Sequence, residues 1–271
     1  MLTGISTYTY TWAFGVPGSM PARPMTLYSL IDKAVELKTD CIQVADNYPL
    51  PDQSPEELSG IRDYANQNQI VIEVGGRGLT DENLDRYINL AAYFSSPVVR
   101  MVIDRQEYKP ELETVVSVIR NALNKLTAEG IVLALENHDR LHSSVFKQII
   151  EKVDNAFAGI CLDCVNSIGI GEGIDSVMEN LAPFTVNLHV KDFAIKRISH
   201  MMGFVVEGTP AGKGFLNLPA VIEKLKSFGK CRSAILELWT PPAGNLSETL
   251  KKEEAWANES MLYMKKIITQ P

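Results

Sequence analysis

Long hydrophobic runs are missing from this chain. No apolar stretch approaches the ~18 residues of a membrane span, so no membrane partner is expected. Basic charge is also in deficit, with 26 Lys and Arg against 33 Asp and Glu and a net charge of −7. That balance argues against nucleic acid and anionic lipid as partners. Low-complexity segments, linkers and composition shifts are absent, and the 271 residues are expected to form one domain spanning the whole chain. The N-terminal Met1-Leu-Thr-Gly-Ile-Ser lacks a basic region followed by an apolar core. No secretory signal is therefore expected, and the expected compartment is the cytoplasm.

Cysteine is scarce, at four residues: Cys41, Cys161, Cys164 and Cys231. Cys161-Leu-Asp-Cys164 has C-x-x-C spacing but falls on an expected strand, whose alternation would send the two sulfurs to opposite faces. Buried free thiols are expected, rather than a thiol pair or a zinc knuckle.

What the chain does have is a regular alternation of strand and helix patterns. Strands are expected near Leu2–Tyr8, Cys41–Asp46, Ile70–Val74, Pro97–Asp104 and Ile131–Glu136, and again before Asp163, before His189 and at Ser233–Trp239. Between them lie helical periods with capping signals, such as Ser54-Pro-Glu-Glu and Thr80-Asp-Glu-Asn, and a stop at Gly130. Such alternation implies a parallel sheet, and eight repeats in this length favour an α/β fold closed as a single (β/α)8 TIM barrel. Residues 193–216, rich in glycine and without a clear period, read as an irregular loop and a candidate lid.

Four of the apolar runs end in metal-competent side chains: Glu136, Asp163, His189 and Glu237. The first two intervals, 27 and 26 residues, each match about one strand-helix-strand repeat. Parallel strands in register would bring all four to one end of the barrel, where the βα loops open. Three carboxylates and an imidazole converging there would repel one another unless a cation sits between them. An oxygen-rich set with one imidazole suits Mn2+ first, with Mg2+, Co2+ or Zn2+ as the other candidates. Other side chains expected at this mouth are Asp46 and Asn47, Arg77 in its Gly-rich loop, Arg100, His138 and Lys191, with Trp239 and Trp12 as apolar walls. Arg77 would suit an acidic or phosphorylated substrate.

The phrases Leu133-Ala-Leu-Glu136-Asn137-His138, Cys161-Leu-Asp163-Cys-Val-Asn166, Asn187-Leu-His189-Val-Lys191-Asp192 and Leu236-Glu237 resemble the sugar isomerase/epimerase family with a xylose-isomerase-like barrel. Ile42-Gln-Val-Ala-Asp46-Asn47 and Gly212-Lys-Gly214 add to the resemblance. It implies a divalent metal held by Glu136, Asp163, His189 and Glu237, with a small sugar or polyol as substrate. The implied reaction runs through a metal-stabilised enediolate, with Glu136 and Glu237 as acid/base groups and His138 and Lys191 as further catalytic candidates. Asp46, Asn47, Arg77, Arg100, Asn166 and Trp239 are the implied substrate contacts, and a homo-oligomer is possible in this family.

Ketose 3-epimerases of the family carry a Glu and a His where this chain has His142 and Asn166. The departure turns the expectation toward a different sugar, an aldose–ketose isomerisation, or a metal-dependent dehydration of an inosose-like or dehydroshikimate-like substrate. A non-catalytic sugar-binding barrel is the alternative from another class. The family's endonucleases need many more histidines than four, and a cationic DNA face, which this composition lacks.

Overall fold

The computed structural model describes residues 1–138 and 140–269. Eight parallel strands close into a barrel: β1 (Leu2–Ser6), β2 (Cys41–Val44), β3 (Val71–Arg77), β4 (Val98–Val102), β5 (Val132–Glu136), β6 (Ala158–Asp163), β7 (Thr185–Val190) and β10 (Ser233–Leu236). β10 pairs with both β1 and β7 and completes the ring. The outer helices are α2 (Leu27–Glu36), α3 (Pro55–Gln67), α4 (Asp81–Phe94), α5 (Leu112–Glu129), α6 (Ser143–Val153), α7 (Ile174–Leu181), α8 (Leu218–Phe228) and α9 (Leu246–Ile268). A short α1 (Thr11–Phe14) follows β1. Among the described residues no helix is long and apolar enough to cross a membrane.

The helix starts follow the capping chemistry in the sequence. Ser54 accepts from the Glu57 N–H and Thr80 from the Asn83 N–H, each satisfying a donor the helix leaves open. α5 ends at Gly130, whose φ of 68° is left-handed, a conformation glycine takes without a Cβ clash.

Two expectations need correction. Gly75, Gly76 and Arg77 belong to β3, not to a loop. A Cβ on Gly76 would meet the Tyr87 ring of α4 at 2.3 Å, so the glycine is there to let the helix pack onto the strand. Residues 193–216 are not irregular throughout. They contain an antiparallel hairpin of β8 (Asp192–Arg197) and β9 (Phe204–Thr209), set outside the barrel. Beyond it, the Asp192 carboxylate accepts from the N–H groups of Gly212, Gly214, Phe193 and Leu216 at 2.8–3.0 Å. The Gly-Lys-Gly phrase thus serves as a backbone clasp around Asp192, and the hairpin is not a wall of the cavity described below.

The barrel interior is layered. Val98, Val132, Ala134, Cys161 and Val186 form an apolar cluster separate from the main core between strands and helices. Gln43, Glu73, Asn187 and Ser233 interlock in a polar layer. Both lead to the strand ends that carry the site.

Candidate active site

Strand register assembles the four expected ligands. Asp163 and His189 are direct partners between β6 and β7. Glu136 ends β5 beside Cys161 of β6. Glu237 follows β10, with its N–H on the Val190 carbonyl at 3.0 Å. All four side chains are buried. Asp163, His189 and Glu237 offer donor atoms within 4.8 Å of one another, and His189 Nδ1 lies 3.6 Å from Glu136 Oε2 and 3.5 Å from Glu237 Oε1.

The polar layer fixes which imidazole nitrogen faces this cluster. Gln43 Nε2 donates to Glu73 Oε2 at 3.0 Å and to Asn187 Oδ1 at 3.1 Å. That orients the amide and leaves its Oε1 toward His189 Nε2, 2.7 Å away. Nε2 then carries the proton, and in the neutral ring Nδ1 keeps a lone pair. This Nδ1 is buried without a hydrogen-bond partner. An orphaned buried lone pair between two carboxylates is costly alone and is the arrangement a cation satisfies. The residues therefore fit a divalent metal, and their oxygen-rich chemistry fits a hard one. Outer-shell partners of this kind typically contribute 10- to 100-fold in metal affinity. Gln43→Leu should weaken Mn2+ binding by about that factor, as measured by calorimetric titration.

Cations already crowd the site. The Lys191 ammonium lies 2.7 Å from Asp163 Oδ2 and 3.0 Å from Glu237 Oε2, and 4.9 Å above the Trp239 ring. Lys191 is buried, not solvated. Burial pulls its pKa down, but Asp163, Glu237 and Glu136 more than offset that and raise it. Arg100, also buried, pairs through Nε with Glu136 Oε2 and through Nη1 with Asp46 Oδ1 at 2.9 Å. Glu136 Oε1 accepts from Asn166 Nδ2 at 2.9 Å, so both of its oxygens are engaged. Burial disfavours its ionised form, yet the Arg100 guanidinium lowers its pKa.

A cavity of about 520 Å3 opens above the cluster. Its lining joins Arg77, Arg100, His138, Asn166 and Lys191 with the apolar Trp12, Val16, Leu238 and Trp239. Arg77 Nη2 sits 3.3 Å from His138 Nε2, and its Nε donates to Asp46 Oδ2 at 2.9 Å. Two expected contacts lie elsewhere. Asn47 bonds Thr7 and ties the turn after β2 to β1. Asp46 reaches the cavity through the two arginines it holds and through Tyr8, whose hydroxyl donates to Asp46 Oδ2 at 3.4 Å. Gln43, Glu73 and Asn187 were not expected, although each is a polar residue at an inward position within an apolar strand. Asn187 stands two residues before His189 and so shares its face.

A barrel of eight parallel strands with a carboxylate–imidazole centre at its rim defines the class, and the chain belongs to the xylose isomerase-like TIM barrel family, whose profile matches residues 31–267. It is an enzyme family. Among relatives, the chain is 28% identical over 264 residues to the 3-oxo-isoapionate decarboxylase of Pectobacterium atrosepticum, covering 97% of this chain and 95% of that one. Among solved structures, D-psicose 3-epimerase in the presence of D-fructose superimposes with a TM-score of 0.73 at 16% identity, over 100% of both chains. A xylose isomerase-like TIM barrel protein from Mycobacterium smegmatis in complex with magnesium gives 0.70 at 15%, over 99% of this chain and 97% of that one.

Proposed function

We propose that this protein is a divalent-metal-dependent lyase that removes CO2 from a 3-oxo sugar acid. One observation carries the reading: both oxygens of Glu136 are held, by Arg100 and Asn166. Epimerisation across two faces needs two groups that exchange protons, and a carboxylate pinned this way is suited to holding a cation instead. Decarboxylation needs only one proton donor.

Charge supports an acidic substrate. Asp46, Glu136, Asp163 and Glu237 face Arg77, Arg100 and Lys191. A divalent ion would turn this excess of one negative charge into one positive charge, matched by a single carboxylate. Whole-length similarity to the 3-oxo-isoapionate decarboxylase points the same way.

Glu136, Asp163, His189 and Glu237 would hold Mn2+ or Mg2+, which when bound supplies Lewis-acid polarisation of the oxo group. Arg77, beside His138, draws in the carboxylate. The bond from the α-carbon to the carboxylate breaks, and its electron pair moves onto the oxo oxygen as an enolate. Lys191 stabilises that charge and gives a proton to the α-carbon. Uncharged CO2 leaves along the Trp12, Leu238 and Trp239 wall.

A second reading, a sugar isomerase or epimerase with Glu136 and Glu237 as acid/base groups, is favoured by the place of both carboxylates in the cavity lining. A CO2-release screen separates the two. Metal-loaded protein given branched and linear 3-oxo sugar acids is expected to release CO2, and metal-stripped protein is not. Turnover of ketoses at unchanged mass, with no CO2 from any 3-oxo acid, would favour the second reading.

A further inference from the structure

We propose that Cys161, His189 and Glu136 form a second cation site that takes thiophilic divalent ions such as Cd2+ or Zn2+. Cys161 is the register partner of Glu136 between β6 and β5, so the two side chains stand on the same inward face. The donor atoms of Glu136, Cys161 and His189 lie within 4.8 Å of one another, and all three residues are buried. His189 Nδ1, fully buried and without a hydrogen-bond partner, is the donor that this set shares with the carboxylate set.

The proton balance at the thiol is simple. Cys161 Sγ donates to Asn187 Oδ1 at 3.0 Å. On binding, the S–H bond breaks, the sulfur electron pair goes to the ion, and the proton leaves to solvent. Asn187 Oδ1 keeps the bond from Gln43 Nε2 at 3.1 Å, so no buried acceptor is stranded.

Softness sorts the ions between the two sets. Thiolate with imidazole selects Zn2+ and Cd2+, whereas carboxylates with one imidazole suit Mn2+ and Mg2+. The sets share His189 and Glu136, so occupancy of one excludes the other. A soft ion would settle beside Cys161 and leave Asp163 and Glu237 with Lys191. This site does not depend on which reaction the enzyme performs.

The test titrates Cd2+ into metal-stripped full-length protein in a Cys231→Ser background, which removes the one half-exposed thiol. A thiolate-to-cadmium charge-transfer absorption is expected at one equivalent. It should vanish in Cys161→Ser and persist in Cys164→Ser. Cd2+ affinity in Cys161→Ser should fall by roughly 10- to 100-fold, the loss seen even when an outer-shell partner goes. Mn2+ affinity should stay at the parent value. Should Cys161→Ser fail to fold, cadmium-113 resonance on the parent protein decides: a strongly deshielded line reports sulfur in the shell. An oxygen- and nitrogen-type line, no charge-transfer band, or a band undiminished in Cys161→Ser would overturn the site, as would equal loss of Mn2+ and Cd2+ binding.

Discussion

Lys191→Met should lower CO2 release by about 100- to 10,000-fold, the usual range for a lost proton-transfer group, while the protein stays folded and still binds its metal. Lys191 is buried against two of the three carboxylates of the metal set, Asp163 and Glu237. Their charges keep it an ammonium throughout the working pH range, despite burial. It is therefore a proton carrier and an anion stabiliser, not a base. Methionine has a similar length and no charge, so the change removes the proton while keeping most of the packing. The metal readout separates chemistry from architecture. An ammonium beside the ligands competes with a cation for the same oxygens, so Mn2+ affinity in Lys191→Met should hold or rise. Loss of metal along with activity would make Lys191 a structural strut.

Arg100→Met should destabilise the fold by about 3–5 kcal/mol, the cost of leaving a buried charge unpaired, measured by urea unfolding of metal-free protein. Arg100 is 2% exposed and joins Glu136 to Asp46. Its removal strips Glu136 of one partner and Asp46 of its deeper one. Added Mn2+ should recover part of the loss, because a cation restores a partner to Glu136.

The same pairs set an acid limb. Burial alone would raise the Asp46 pKa, but Arg100 and then Arg77 lower it from 3.8 to about 2. That shift corresponds to roughly 2 kcal/mol at 1.36 kcal/mol per unit. The contribution is present above the ordinary carboxylate range and is lost as pH falls from about 4 toward 2. In Arg100→Met, the Asp46 part of this limb should shrink, because the folded-state pKa moves back toward the ordinary value of 3.8.

The barrel was legible because β-rich apolar runs and capped helical periods repeat at a nearly constant interval. The four ligands were legible for the same reason: Asp163 and His189 fall in register because one repeat separates them. Lys191 was legible as a candidate but not in its burial, since the two carboxylates that receive it sit on other strands. The layer beneath the site was hidden for a related reason. Gln43, Glu73 and Asn187 come from three strands, and only closure of the barrel brings Gln43 within 3.1 Å of Asn187 across 144 residues. The hairpin of β8 and β9 escaped because its exposed Ile195, Phe204 and Val206 break the inside-outside alternation by which half-buried strands are read. Arg100 was expected to touch substrate. Its pairing with Glu136 limits that carboxylate's freedom to move protons, which no strand pattern reveals.

The most direct test follows deuterium and CO2 in a single reaction. Metal-loaded protein would turn over a 3-oxo sugar acid in D2O, with product examined by mass spectrometry and proton NMR. One CO2 is expected per product, with one deuterium on the carbon that lost its carboxylate. No CO2, together with deuterium appearing in a recovered ketose of unchanged carbon number, would contradict the account and return Glu136 to the proton-transfer role.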